Sequence, residues 1–215
     1  MKKQIICTLL SVIILSCGGS KNDDFEETKG PSNAFEAISN LSKAGKEMKN
    51  NLSKVEEKIK ERKERGDTLA MHYEKLMEFL PEEIDGYKRK EPNGSSVNMA
   101  GMSYSSVDAR YEKEDGEYIK ITIVDYNQAY GIYQSATAMW AMGMSIDTPT
   151  EKANGVKLND EIAGWETFKK KSKEATLTLG VGYRFWLNIE ANKQENTDFL
   201  KSVAKKIDMD KLTAI

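Results

Sequence analysis

Side chains able to do chemistry are sparse in this chain of 215 residues, which holds one His and two Cys. One imidazole and two thiols are too few soft ligands for a zinc or iron–sulfur centre. His72 lies beside an apolar stripe with no nucleophile or acid paired to it in sequence, so no catalytic role follows from it. Gly180-Val181-Gly182 lacks the third glycine and the following helix of a dinucleotide fingerprint. The chain has no Gly-Lys-Ser/Thr phosphate loop and no serine in a nucleophile elbow. Asp108, Asp125 and Asp147 are scattered, whereas a calcium loop needs acidic ligands at alternating positions. Glu82-Glu83-Asp85 reads as a solvated turn. What remains is carboxylate chemistry, and a hydrolase of that kind needs two carboxyl groups facing one another across a cleft. The expectation is therefore a domain that binds or scaffolds without catalysing and calls for no metal or cofactor. A carboxylate-dependent hydrolase is the alternative from another class.

Charge narrows the partners. A formal net charge of -2 with 31% charged residues lacks the basic excess of a nucleic-acid protein. Against that charged background, Tyr126 to Ile146 contains no charged residue. Two readings of this stretch compete. A helix from about Asn127, as cap, to Met142 that is apolar nearly all round belongs in a core. Alternatively Tyr130, Tyr133, Met139, Trp140 and Met142 line a groove for an apolar ligand or a partner helix, since Met adapts to irregular surfaces.

The N-terminus reads as a sorting signal. Lys2 and Lys3 precede an apolar run, Ile5 to Leu15, that is too short to span a bilayer and fits a secretory h-region. It ends in Ile14-Leu15-Ser16-Cys17 followed by Gly18-Gly19-Ser20, which resembles the lipobox of bacterial lipoproteins. The resemblance implies removal of residues 1–16 as a signal peptide and acylation of Cys17, the lipid chains then holding the protein to a bilayer. The polar, acidic Ser20-Lys21-Asn22-Asp23-Asp24-Phe25-Glu26-Glu27 is similar to the export tract of surface lipoproteins in Bacteroidetes-type bacteria. That implies a lipid-anchored outer-membrane protein, periplasmic or exposed at the cell surface. Residues 17–33 read as a solvated tether.

Residues 34–66 read as a helical stalk. Ser32 or Asn33 can cap it, and Ala34, Ile38, Leu41, Met48, Leu52, Val55 and Ile59 fall in alternating steps of three and four. Fully helical, the segment would be about 48 Å long at ~1.5 Å per residue. The 34–62 seam would either lie against its own domain or an envelope partner, or drive self-association as a coiled coil. Gly66 offers a stop and Asp67 or Thr68 a new cap, followed by a second amphipathic helix through Leu69, Tyr73, Leu76, Met77 and Leu80 to Pro81.

From Glu83 the apolar period falls from 3.6 to 2, which predicts strands over 102–113, 118–124, 165–169, 175–181 and 183–191. Glu114-Asp115-Gly116-Glu117 supplies a hairpin turn, residues 145–155 read as a loop, and Asn196–Ile207 as a closing helix capped by Thr197. Glu83-Ile84-Asp85-Gly86-Tyr87 matches Glu161-Ile162-Ala163-Gly164-Trp165 and suggests two copies of a strand-strand-helix unit. Residues 67–215 are thus expected to form an α+β domain, an antiparallel sheet of about six or seven strands with packed helices. That layout is similar to the Mog1/PsbP-like fold in architecture.

Overall fold

A computed structural model describes residues 25–27, 53–99, 102–127 and 145–215. Cys17, residues 34–52 of the expected stalk, and Tyr130, Tyr133, Met139, Trp140 and Met142 lie outside the described residues.

Among the described residues, ten strands form one sheet: β1 (Glu26–Glu27), β2 (Lys88–Arg89), β3 (Asn93–Met99), β4 (Met102–Glu112), β5 (Tyr118–Asp125), β6 (Ser145–Asp147), β7 (Glu151–Asn159), β8 (Ile162–Lys169), β9 (Glu174–Val181) and β10 (Phe185–Ala191). Every pairing is antiparallel, in the lateral order β1-β7-β8-β9-β10-β5-β4-β2. β3 shares the outer edge of β4 with β2, and β6 shares that of β7 with β1. Helical segments are residues 53–64 (α1), Tyr73–Met77 (α2), Asp198–Ala204 (α3) and Met209–Thr213 (α4). The α+β class follows directly from this arrangement.

Period-2 sequence generates one buried face. Val107, Ala109 and Tyr111 of β4, Ile119, Ile121 and Ile123 of β5, Phe185, Leu187 and Ile189 of β10, and Leu177, Leu179 and Val181 of β9 all point inward. Leu76 of α2, with Phe79 and Leu80 beyond it, Leu200 and Val203 of α3, and Met209 and Leu212 of α4 complete the same cluster. Each buried Leu, Ile or Phe contributes about 1.5–3 kcal/mol, so this face carries most of the stability.

Where the chain departs from its sequence pattern, local physics accounts for the difference. Residues 145–155 form β6 and the first half of β7 rather than a loop. Pro149 sits in the turn between them, where Thr148 Oγ1 accepts from the Glu151 N–H at 3.0 Å, and Gly155 lies opposite Trp165. Both read as breakers, but Pro149 sits in a hairpin turn and Gly155 continues β7 as a paired strand residue. This hairpin, the two-residue β1 and β2, and the seven-residue β3, whose Asn93–Met99 sequence carries no apolar alternation, raise the strand count above the expected six or seven. Phe25–Glu27 pairs with β7 and buries Phe25, although composition placed it in a solvated tether. The predicted Glu114–Glu117 turn forms with Gly116 at φ +82°.

Two capping expectations are corrected. Asp67 and Thr68 do not start α2, which begins after His72. Thr197 makes no side-chain cap, because its hydroxyl donates to the buried Glu166 carboxylate at 2.6 Å. The closing helix expected over Asn196–Ile207 is shorter, ending at Ala204, and a separate α4 follows it, Asp208 Oδ1 accepting from the Lys211 N–H at 2.9 Å at its start. Nor are the two Glu-Ile-x-Gly-aromatic segments equivalent. Ile84–Tyr87 is a turn with Gly86 at φ +79°, whereas Ile162–Trp165 opens β8.

Candidate functional site

Inward alternation also carries charge into the core. Asp125 closes the series Ile119, Ile121, Ile123 and is completely buried. Arg184, just before β10, meets it with two hydrogen bonds, Nε to Oδ1 at 2.9 Å and Nη2 to Oδ2 at 2.8 Å. The same guanidinium reaches Asp67 Oδ2 through Nη1 at 2.6 Å. The Met71 and Asn127 backbone N–H groups donate to the two oxygens of Asp125 at 2.7 and 2.9 Å. Asn127 donates from its amide to Asp67 and to the Leu69 carbonyl, and accepts from Arg62 Nε at 3.0 Å. Its side chain is thus engaged with α1 and the link to α2. The helix it was expected to cap lies outside the described residues.

Two arginines and two aspartates make this node electrically neutral. Burial alone would lower the Arg184 guanidinium, but hydrogen bonding and charge from Asp125 and Asp67 hold it above its ordinary value. Arg62 is lowered, first by burial and then by repulsion from Arg184, against the pull of Asp67 and Asp125. Arg184 bridges the two carboxylates, and each of their oxygens accepts at least one hydrogen bond. The node ties α1, the α1–α2 link, β5 and β10 together.

A second buried pair does similar work at the other side of the sheet. Glu166 points inward from β8 and holds Lys201 Nζ at 3.0 Å and the Thr197 hydroxyl at 2.6 Å. Lys201 also approaches Glu27 of β1 and Asp198 at 3.8 and 3.7 Å. At the rim, Tyr87 donates to Glu117, and Lys113 lies 2.9 Å from the same carboxylate and 4.3 Å over the Tyr87 ring. Burial and the Glu117 contact push the Tyr87 phenol up. Glu117 stays below the usual carboxylate range because those two donors outweigh its own desolvation.

Surface sites are of two kinds. A shallow groove of about 510 Å³ lies between α2 and the β2–β3 link, lined by Glu74, Met77, Glu78, Glu82, Arg89 and Pro92 among others. Arg89 Nη1 meets Glu82 at 2.6 Å, and its Nε is buried without a hydrogen-bond partner. The larger surface is the sheet face opposite the core. In register across it run Ser106, Val124, Trp186, Gly180 and Ala163, then Asp108, Thr122, Asn188, Thr178 and Trp165, then Arg110, Lys120, Glu190, Thr176 and Thr167. From β4 to β8 the first row is uncharged and then meets Lys157 of β7 beyond Ala163, while the second row holds one charge and the third holds three. Tyr104 and Tyr126 extend the uncharged end; burial raises the Tyr126 phenol, and charge repulsion from Tyr104 raises it further. Trp165, Trp186, Val124 and Thr122 are half-buried on this face. Among the described residues, helices cover one face of the sheet, and the face behind it is half-buried and graded in charge.

Compared with known proteins, the chain matches no family model, no curated protein and no solved structure. Among the described residues, no helix is long and apolar enough to cross a membrane. The five residues proposed from sequence to line an apolar groove are not among those described. The residues that sequence reasoning missed are Asp67, Asp125, Arg184, Glu166 and Lys201. The legible signal was phase: Asp125 and Glu166 occupy inward positions of otherwise apolar alternations, Ile119-Ile121-Ile123 and Ile162-Gly164.

Proposed function

We propose that the protein is a lipoprotein of the cell envelope, acylated at Cys17 and held in the outer membrane. Its α+β domain binds or scaffolds a partner and does not catalyse. The observation that carries the binding role is the uncharged end of the open sheet face, where Val124, Trp186, Tyr104 and Tyr126 adjoin small Gly180 and Ala163. A flat, rigid, aromatic-bearing surface with polar edges fits a protein partner better than a small ligand, which needs a concave pocket. The neutral Arg184 node supports the same reading, since it rigidifies the scaffold beneath that surface and leaves its carboxylates engaged. Mass spectrometry of the mature N-terminal peptide tests the anchor, with diacylglycerol and acyl masses expected on Cys17. Capture from solubilised envelope by the acylated protein tests the face. One specific complex enriched by the natural chain and lost with Val124→Lys, at unchanged melting temperature, is the expected result, and equal capture by both chains refutes it.

A second reading is a carrier of an apolar ligand through Tyr130, Tyr133, Met139, Trp140 and Met142. It is favoured by the routing of the chain. The uncharged segment leaves β5 at the uncharged end of the open face and re-enters at β6, beyond β10, β9, β8 and β7. Trp140→Ala would then abolish binding of a fluorescent apolar probe without lowering thermal stability. Self-association through the 34–62 seam is a further route to a partner, tested by light scattering of the chain from Gly18 onward. Within that seam, Val55 is buried and Ile59 half-buried in the described α1.

A further inference from the structure

Phe25 and β1 change what the N-terminal region can do, on the reading that Cys17 is the lipid anchor. Phe25 is 9% exposed and belongs to the main core cluster. Glu26 and Glu27 pair with Lys157 and Val156 of β7, and Glu27 lies 3.8 Å from Lys201. The chain is therefore seated on the domain almost immediately after the lipid site. It is seated again at α1, where Val55 is 3% exposed, Lys54 and Lys58 meet Asp160 and Glu161 at 3.5 and 3.7 Å, and Arg62 joins the Asp125 node. Both ends of residues 28–52 are thus held by one body.

Covalent geometry then sets the distance to the membrane. From Cys17 to Phe25 a fully extended chain covers at most about 28 Å, at ~3.5 Å per residue. Were Val55 the first residue held by the domain, the same rule would allow about 130 Å. We propose that the β1–β7 edge of the sheet is held close against the bilayer surface, because the tether that sets this distance ends at Phe25 and not at Val55. Bilayer lipid is accordingly the partner of this edge, while the β4 side of the sheet and its hairpin turn at Glu114 point away from the anchor.

The test uses the acylated full chain in vesicles of phosphatidylethanolamine and phosphatidylglycerol carrying a headgroup energy acceptor. With Cys7 removed and Cys17 acylated, Lys152→Cys on β7 or Glu114→Cys in the β4–β5 turn gives a single thiol for the donor dye. Transfer is expected to be at least twofold more efficient from position 152 than from position 114. A 20-residue Gly/Ser insertion adds about 25 Å of flexible reach. Placed after Asn40 it should leave transfer from position 152 within about a tenth of its value, and placed after Ser20 it should at least halve it. A fall caused by the insertion after Asn40, or no change on the insertion after Ser20, overturns the proposal. Peptide mass spectra of the same samples separate the two levels: an unacylated Cys17 removes the anchored reading itself, whereas acylated chains with the wrong insertion response remove only the inference about the edge.

Discussion

Replacing Arg184 by Met tests the buried charge node most directly. The substitution keeps the unbranched bulk and removes three hydrogen bonds, two to Asp125 and one to Asp67. Asp125, with no side-chain exposure, keeps the Met71 and Asn127 N–H donors but loses its counter-charge. Asp67 is about a third exposed and retains Asn127, so its share of the loss is small. Stranding one charge of a buried pair costs about 3–5 kcal/mol. The two surviving donors place the expectation near the lower end, about 3 kcal/mol at pH 7. For a domain of this size, roughly 3 °C of melting temperature accompanies each kcal/mol, so a fall of about 9 °C should follow. Urea unfolding followed by tryptophan fluorescence measures the loss directly. Arg184→Met with Asp125→Asn removes both charges and should recover at least 1 kcal/mol, roughly, since the amide still accepts a backbone donor. A loss below about 1 kcal/mol, or a loss that Asp125→Asn deepens, would refute the description of this node as the clamp between α1 and the sheet.

Two further perturbations follow from packing and titration. A Cβ at Gly164 would lie 1.8 Å from the Thr178 carbonyl oxygen, a backbone atom that cannot swing aside. Gly164→Ala should cost about 3 kcal/mol through separation of β8 and β9, and an urea midpoint equal to that of the natural chain would contradict the close approach. Burial pushes the Tyr111 phenol up to about 12, against a smaller opposing effect of Arg89. In the unfolded chain the group ionises near pH 10, so the folded state is favoured in full below that pH and loses the advantage as pH rises from about 10 to 12. Two pH units correspond to about 3 kcal/mol. Tyr111→Phe should flatten this part of the alkaline stability profile, although it forfeits the hydrogen bond to the Pro81 carbonyl at every pH. Identical slopes for the two chains between pH 10 and 12 would show the phenol is not responsible.

Strands were legible where alternation ran for seven residues or more, because one face had to be buried and a one-residue slip would turn it to solvent. That is why β4, β5, β9 and β10 were expected almost to their observed bounds. β6 and the early part of β7 were hidden by Pro149 and Gly155, whose roles depend on a partner strand and on Trp165 that only folding brings near. Caps failed for a related reason. Asp67 and Thr197 each have the right chemistry for a helix start, but a buried charge elsewhere in the fold competes for the same side chain.

Local information by itself determined the α+β class, the inward faces of the long strands, the Asp115-Gly116 turn and the resemblance of Ile14–Cys17 to a lipidation signal, because each depends on neighbours within a few residues. Tertiary structure alone decided which carboxylates are neutralised, which surface is left open, and where the chain after Cys17 first meets the domain. Arg184 reaches Asp67 across 117 positions, and Glu26 pairs with Lys157. Contacts at such separation depend on loop closure and on the sheet order, and no local pattern of residue types encodes either.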